Sequence, residues 1–351
     1  MVKLGFSMYV SSGKEKNLEI VQKASKAGLK YAFTSLHIPE ESDIDLRNEM
    51  DEVFELCKTS GISIIADISP RTVEKLGLSS IEDLQHSALS HLRMDYGFEN
   101  EEIIRLSRMF NVVFNSSTLL PEQLNEFKSL NADFTRLKAC HNFYPKPRTG
   151  LSLEKVRSIN ERLSFLGITN MAFVAGDKER RAPLKQGLPT VEAHRDEDVL
   201  LSILQLITMT STDIVLIGDV DVTDQTWDKL KDLSEGFVRL KCSLDIEYAH
   251  LNQSCHHDRP DSSDYVIRSV ESRMYATPGV IIEPKDSQPI QKGDILIGNR
   301  GYLRYSGELE VARVDLGMES RVNVIGKVDD EYIKYLPYIQ DGLGFILEVS
   351  E

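Results

Sequence analysis

Long apolar runs are missing from this 351-residue chain, and we expect no leader segment. No window approaches the ~20 consecutive apolar residues of a membrane-spanning helix. The N-terminal segment has one lysine and a short apolar run broken by glycine and serine, which is too short and too polar for a signal peptide. The sequence therefore predicts a cytoplasmic protein without a membrane partner.

The chain also has few cysteines and no excess of basic residues. Its four cysteines form no Cys-X-X-Cys pair and no disulfide framework, so we expect reduced thiols. With 41 Lys and Arg against 55 Asp and Glu, the formal net charge is −14. This balance argues against a nucleic-acid partner and against an anionic membrane surface. An anionic ligand would need a locally basic pocket.

What the chain contains is one alternation, repeated eight times, of a short apolar run and a helical segment. The runs are rich in Val, Ile and Phe, which is typical of buried parallel strands. Eight such units in about 236 residues predict an α/β fold of the (β/α)8 TIM-barrel type, which takes ~250 residues. The alternative is an open, doubly wound sheet, but no Gly-rich phosphate loop follows the first strand. The runs are Lys3–Val10, Lys30–Pro39, Ser63–Pro70, His91–Phe98, Asn111–Ser117, Asp133–Pro145, Ile168–Asp177 and Asp213–Asp219.

Residues 237–351 show a different sequence pattern from residues 1–236. Short strand candidates alternate there with Gly and Pro turns, and amphipathic helices are nearly absent, which predicts a second, small all-β domain, either a barrel or a sandwich. No low-complexity linker separates the two domains, so we expect them to pack together. The candidates are Tyr265–Val270, Gly279–Glu283, Asp294–Gly298, Leu309–Val314, Arg321–Val328 and Phe345–Val349.

Charged residues interrupt the barrel strands at their carboxyl ends, where ligands bind in this fold. Arg93 and Asp95 share parity and so face the same side, with Asp67 on the preceding strand beside them. We expect Arg93 to keep Asp95 ionised as nucleophile or stabiliser, and Asp67 to donate the proton if it lies farther from Arg93. Glu40 and Asp219 are reserve acids. Alternatively, two carboxylates simply neutralise a buried Arg93.

A second cluster follows the sixth strand, where two prolines and a glycine shape a loop with several cations. In an acidic protein such a loop indicates a site for an anionic sugar, although it may equally be an ordinary solvated loop. Thr190, in a later loop, has the position of a helix cap. The candidate substrate-binding residues are Arg93, Asn115, Lys138, His141, Asn142, Tyr144, Lys146 and Arg148, with Arg268 and Arg300 in the second domain.

Metal binding has little support in the sequence. The run from Cys255 to Asp258 is rich in ligand types, but adjacent residues rarely converge on one ion, and no partner pair lies at zinc spacing. We therefore expect no metal and no cofactor.

Several strings resemble the 6-phospho-N-acetylmuramidase (MupG-like) family of bacterial glycoside hydrolases. They are His141–Pro145, Thr149–Leu151, Gly187–Thr190 with His194-Arg195, Arg259–Asp261 before Val266–Ser269, and Asn299–Gly301. The resemblance spans essentially the whole chain. It implies a barrel followed by a cyclophilin-like β domain. It also implies cleavage of the disaccharide N-acetylmuramic acid 6-phosphate–N-acetylglucosamine in cytoplasmic cell-wall (peptidoglycan) recycling. Because Arg268 and Arg300 lie in these strings, we expect the β domain to cap the barrel.

Glycoside cleavage needs a proton donor and a carboxylate that stabilises the oxocarbenium-like centre, unless the substrate's own acetamido group attacks. Two other functions remain open. One is a metal-assisted phosphosugar isomerase or aldolase with His37, Asp67 and His141 as ligands, which chelators would inactivate. The other is a carbohydrate-binding protein without enzymatic activity, which would bind sugar without turnover.

Overall fold

The structure is a computed structural model that describes residues 2–36, 46–69, 72, 79–86, 89–94, 98–119, 121–275 and 281–350. The chain divides into two compact units, Met1–Ser234 and Glu235–Glu351. No helix in the described ranges is long and apolar enough to cross a membrane.

The first unit is a closed barrel of eight parallel strands, in which β8 pairs back to β1. This confirms the (β/α)8 prediction and excludes the open sheet. Each strand lies within its predicted run, apart from two residues that extend β4 at its start. The strands are β1 (Lys3–Met8), β2 (Tyr31–Ser35), β3 (Ser63–Ile68), β4 (Leu89–Met94), β5 (Asn111–Asn115), β6 (Leu137–Cys140), β7 (Thr169–Val174) and β8 (Ile214–Ile217).

Helices connect the strands on the outside of the barrel. They are α1 (Lys14–Lys26), α2 (Leu46–Thr59), α3 (Asn100–Ser107), α4 (Pro121–Ser129), α5 (Leu153–Ser164), α6 (Val199–Thr210) and α7 (Asp224–Glu235). Between β3 and β4 the described residues include a 3₁₀ turn, Ile81–His86. Gly28, Gly61 and Gly167 adopt left-handed φ values of 77°, 68° and 77° between a helix and the next strand, which suits the residue without a Cβ.

The inside of the barrel is filled by side chains. Alternate strand residues point inward and form one buried cluster of Phe33, Ile65, Val113, Cys140, Met171, Phe173, Ile214 and Leu216. Parallel strands buried on both faces need such apolar side chains in the barrel and against the helices. Because the centre is packed, a ligand has access only at the ends of the strands. We call the carboxyl end the barrel mouth.

The second unit is mostly β, as predicted. Seven strands form one sheet in the order β10-β17-β9-β16-β13-β14-β11, and β12 pairs with β15. In the described part of this unit, one helix, α8 (Val270–Tyr275), and three 3₁₀ turns accompany them. The strands are β9 (Phe237–Leu244), β10 (Cys255–His257), β11 (Val266–Arg268), β12 (Pro289–Ile290), β13 (Asp294–Gly298), β14 (Leu309–Ala312), β15 (Gly317–Met318), β16 (Val322–Val328) and β17 (Gly344–Val349).

The strands of the second unit differ from the sequence prediction in several places. The candidate strand Gly279–Glu283 is wrong in its described part, since residues 281–283 belong to no strand, and residues 276–280 lie outside the described ranges. The sequence analysis also missed β9, which pairs with both β16 and β17, and the short strands β10, β12 and β15.

The four cysteines are free thiols, and only one of them is exposed. Cys57 on α2, Cys140 on β6 and Cys242 on β9 are fully buried. Burial raises the pKa of each of these three thiols to about 12, because the thiolate would lose its hydration. Cys255, at the start of β10, is the exposed one.

Candidate active site

A buried ion pair lies at the barrel mouth, where β3 and β4 end. Asp67 and Arg93 are partners in the parallel register, as the sequence predicted, and both side chains point inward. Arg93 Nη1 lies 2.8 Å from Asp67 Oδ1. Arg93 is only 3% exposed and Asp67 only 7%. Each residue neutralises the charge of the other, because either charge would be costly to bury alone.

Arg93 also reaches across the barrel to the end of β6. Its Nη2 donates a hydrogen bond to Oδ1 of Asn142, the second residue after that strand. The guanidinium is therefore fixed by side chains from two other strands, which holds Asp67, Arg93 and Asn142 together at the mouth. Asp95, Glu40 and His37, which the sequence analysis also placed at strand ends, lie outside the described residues.

The contact between Asp67 and Arg93 changes the expected role of Asp67. The proton-donor role requires that this carboxyl group lie away from the guanidinium. The structure shows a direct charge-assisted bond instead, which favours the carboxylate form. Asp67 therefore fits the ionised group of a carboxylate pair rather than the acid.

His141 does not belong to the mouth, and its predicted role in anion binding is wrong. The residue is completely buried, and its ring contacts Asn160 on α5 (Nε2 to Oδ1, 2.8 Å) and the Ser117 hydroxyl (Nδ1 to Oγ, 3.2 Å). Burial, with a smaller contribution from the nearby Arg93 charge, lowers the pKa of His141 to about 4. The ring is therefore neutral at pH 7 and already engaged.

Lys138 is also misplaced in the sequence prediction. It points into the barrel, but its charged neighbours are Lys3, which begins β1, and Asp213, which precedes β8. Those residues mark the amino ends of the strands, opposite the mouth. Burial lowers the pKa of Lys138 there, and the lysine in turn helps burial to lower the pKa of His91 to about 4. Lys138 cannot hold an anion at the mouth.

The Asn115 side chain has a local structural task. Its Oδ1 accepts a hydrogen bond of 3.0 Å from the backbone N–H of Ser117, which closes the turn after β5. Asn115 also lines a cavity of about 100 Å³ with residues of α3 and α4, including Ile103 and Phe127. Nothing in this arrangement requires a sugar ligand.

The loop after β6 is held by the ion pair of Glu192 and Arg195. Glu192 accepts hydrogen bonds from the backbone N–H groups of Arg148 and Gly150, at 2.6 and 2.8 Å. Arg195 binds the carbonyl oxygens of Tyr144 and Lys146, and it lowers the pKa of Glu192 to about 2. The side chains of Lys146 and Arg148 stay exposed, so this loop presents two cations on a fixed backbone.

Thr190 joins the loops after β6 and β7 rather than capping a helix. Its hydroxyl donates to the backbone carbonyl of Asn142 and accepts from the N–H of Phe173. The backbone of Tyr144 adds a bond to the carbonyl of Pro189. The sequence analysis noted this string but missed the function of Thr190, Glu192 and Arg195, because their partners lie about 40 to 50 residues away.

Asp219, the second residue beyond β8, organises the loop after β7. It is 1% exposed, and its carboxylate accepts three backbone hydrogen bonds, from the N–H groups of Gly176, Arg181 and Leu188. Burial raises the pKa of Asp219, while the three bonds oppose that rise. Because both oxygens are occupied by the backbone, Asp219 does not suit the reserve-acid role.

An apolar wall lies beside these polar groups. Tyr9, Leu188 and Val220 form a buried cluster with Phe143 against it, and Phe143 also packs on the central core. The Tyr9 hydroxyl donates to the carbonyl of Gly218, and the guanidinium of Arg181 lies 4.2 Å from the centre of the Tyr9 ring. The sequence analysis missed both Tyr9 and Arg181, because neither carries a recognisable motif.

The two arginines predicted from the second unit are paired with acids of the same unit. Arg268 donates to the carbonyl of Asp261 and lies 3.4 Å from its carboxylate. Arg300, which is exposed, forms an ion pair of 2.9 Å with Glu283. Their predicted contact with substrate stays a prediction.

The proposed metal ligands that the structure describes are not brought together. Asp67 is bonded to Arg93, and the His141 ring is bonded to α5. In the second unit, His256 contacts Ser269, and Asp258 pairs with Arg313. Within the ranges that the structure describes, no group of three His, Cys, Asp or Glu side chains has the geometry for a metal ion.

Comparison with known proteins assigns the family. Models of the N-terminal and C-terminal domains of 6-phospho-N-acetylmuramidase match residues 4–232 and 237–348. The chain belongs to the 6-phospho-N-acetylmuramidase family. It is therefore a glycosidase of a family that is defined over both of its units.

Two solved structures are similar over the full length. A conserved protein of unknown function from Enterococcus faecalis is 29% identical, with a TM-score of 0.77. The match covers 99% of this chain and 97% of that protein. An uncharacterized B. cereus protein is 25% identical, with full coverage of both chains and a TM-score of 0.75. No curated protein matches the chain.

Proposed function

We propose that the protein hydrolyses N-acetylmuramic acid 6-phosphate–N-acetylglucosamine to the phosphorylated muramic sugar and N-acetylglucosamine, in the cytoplasmic recycling of cell-wall sugars. The family membership supports the reaction class. The observation that carries the proposal is the buried Asp67–Arg93 pair at the mouth, fixed by Asn142. The Asp67 carboxylate is held there with little exposure to water, so its charge would act strongly on a bound sugar.

The reaction assigns different tasks to two carboxyl groups. Asp67, paired with Arg93, stabilises the positive charge that develops at the anomeric carbon, or orients the acetamido group if that group attacks. Asp95, two residues after Arg93 in the chain, is the proposed proton donor to the leaving oxygen. These proposed roles are the reverse of those that the sequence analysis expected, and the contact of Asp67 with Arg93 supports them.

The 6-phosphate needs cations outside the acid pair. Lys146 and Arg148 are exposed on the loop after β6, which Glu192 and Arg195 hold in place. A charge-assisted hydrogen bond contributes about 1.5–3 kcal/mol, so Arg148→Ala should weaken turnover of the phosphorylated disaccharide roughly tenfold or more in kcat/KM. The unphosphorylated disaccharide should respond much less. An equal loss on both substrates would remove Arg148 from phosphate binding.

The proposed function is tested directly by incubating the protein with the phosphorylated disaccharide and following both products by mass spectrometry. A parallel sample with a chelator addresses the metal-assisted alternative, which requires that activity be lost. Tight binding without either product would favour the carbohydrate-binding alternative and contradict hydrolysis.

A further inference from the structure

Arg181 differs from the neighbouring cations Lys178 and Arg180 because, among the described residues, it has no acidic partner. Lys178 lies 3.2 Å from Asp221, and Arg180 lies 2.8 Å from Asp196. No carboxylate of the described residues pairs with Arg181, and its Nε is buried without a hydrogen-bond acceptor there. No bond within the described part of the protein therefore accounts for the placement of this guanidinium.

The position of Arg181 is nevertheless fixed from two sides. Its backbone N–H donates to Asp219 Oδ1 at 3.0 Å, which ties the residue to the end of β8. Its guanidinium lies on the ring of Tyr9, which is itself buried and bonded to Gly218. A cation on an aromatic face is oriented while its outer N–H groups stay unused. The residue is only partly exposed.

This placement coincides with the region where barrels of this class bind anions. Phosphate sites in TIM barrels are frequently formed by the loops after strands 7 and 8. Here those loops meet at Asp219 and at the backbone bonds between Glu179 and Val220 or Asp221. Leu188 and Val220 of the same loops pack with Phe143, which follows Asn142 in the chain. Arg181 and the Asp67–Arg93–Asn142 group thus belong to one mouth.

We infer that Arg181 is a specificity-determining residue that binds an oxyanion of the muramic sugar. This inference rests on the proposed function. The proposed substrate has two such groups, the 6-phosphate and the carboxylate of its lactyl ether, and a guanidinium fork is complementary to either. In both cases Asp219 and Tyr9 act as positioning residues, since they hold the backbone and the guanidinium plane of Arg181.

The test compares Arg181→Gln with the parent on three disaccharides: the proposed substrate, the same sugar without phosphate, and the phosphorylated sugar without the lactyl group. We expect kcat/KM for the proposed substrate to fall roughly tenfold or more, mainly through KM, because one charge-assisted contact is lost. The loss should disappear on the analogue that lacks the group bound by Arg181, which identifies the phosphate or the carboxylate. Calorimetric titration with the three matching monosaccharides gives the same comparison without turnover.

Two further variants separate anion binding from a general effect on the loop. Lys185→Gln removes an exposed cation from the same loop and should leave all constants unchanged. Arg181→Lys keeps the charge and should recover part of the affinity. An equal loss for Arg181→Gln on all three ligands, or no loss on any, would overturn the inference while the parent still cleaves its substrate. Failure of the parent to bind or cleave any of them would contradict the proposed function itself.

Discussion

At the barrel mouth, the direction in which each side chain points decides which residues it can contact. Asn142 and His141 are neighbours in the chain, yet Asn142 bonds to Arg93 inside the mouth and His141 bonds to α5 behind the barrel wall. Arg93 and Asp67 have inward parity and become partners across two strands. The chemical task of each polar residue therefore depends on which side of the barrel wall it faces.

The charge of Asp67 can be tested by substitution. Asp67→Asn should lower kcat on the order of 10²–10³-fold, because a preorganised charge near the anomeric carbon is lost. It should also destabilise the fold by about 3 kcal/mol, since Arg93 stays buried without its counter-ion. Steady-state kinetics and thermal unfolding measure the two effects.

Asp95→Asn provides the matched comparison for the proton donor. We expect a loss of ~10²–10⁴-fold on the natural disaccharide, as for removal of a general acid. A substrate with an activated aryl leaving group should restore Asp95→Asn but not Asp67→Asn, because a good leaving group needs little protonation. Parental turnover by both folded variants would show that the pair is structural.

The buried histidines make stability depend on pH. His91 and His141 have pKa values of about 4 in the folded state, below the ~6.5 of an unfolded histidine, so the unfolded chain binds more protons as the pH falls. The contribution of these histidines to the free energy of unfolding should be fully present above about pH 6.5. It should decline towards pH 4, by roughly 2 kcal/mol per histidine between pH 7 and pH 5. His141→Gln should remove one histidine's share of that decline in urea unfolding. An unchanged slope would refute this.

At the scale of elements, carboxylates connect loops that the strands alone leave independent. Asp219 accepts three backbone bonds from the loop after β7, and Glu192 accepts two from the loop after β6. Neither residue needs to touch substrate to affect catalysis. The hydrogen bonds from backbone N–H groups to these two carboxylates hold the loops around the mouth in place.

Asp219→Asn should loosen the loop from Gly176 to Leu188. An amide offers one oxygen where the carboxylate has two, and its NH₂ group faces backbone donors, so at least one buried N–H loses its acceptor at a cost of about 1–3 kcal/mol. Hydrogen exchange of residues 176–188 should accelerate, and KM should rise. Asp177→Asn is the control, because Asp177 caps the start of α7 through Thr223 and Thr226. Equal exchange in both variants would contradict the role of Asp219.

The sequence predicted the barrel well because each strand is a short apolar run that ends at a polar residue. It missed β9, where Val238, Leu240 and Cys242 alternate with partly or fully exposed residues, because the strand follows α7 after the single residue Gly236. For the site, parity correctly placed Asp67 beside Arg93. Lys138 and His141 failed because strand register and the end of β6 decide which residues reach the mouth, and neither is visible in the local pattern.

At the scale of the whole molecule, two independent divisions of the chain agree. The family models meet between residues 232 and 237, and the compact units meet between Ser234 and Glu235. Each unit has its own buried core, which is the usual mark of a domain. The second unit therefore folds around a core of its own, and its expected capping of the barrel stays a prediction.

Removal of the second unit tests the capping proposal. A chain that ends at Ser234 should retain the circular dichroism of a (β/α)8 barrel and lose turnover, because an open mouth admits water and weakens the charges inside. If the shortened chain is unstable, Arg268→Ala with Arg300→Ala in the full chain replaces it, and KM should rise. A folded, truncated barrel with full activity would refute the cap.

The distribution of the thiols has a practical consequence for following these experiments. Under native conditions an alkylating reagent meets one accessible sulfur, Cys255, so a single dye can be attached without mutagenesis. Cys57 and Cys140 become reactive only when the barrel opens, and Cys242 only when the β unit opens. Mass spectrometry of the modified peptides would thus show when each unit opens. The protein without any mutation would report the unfolding of its two units separately.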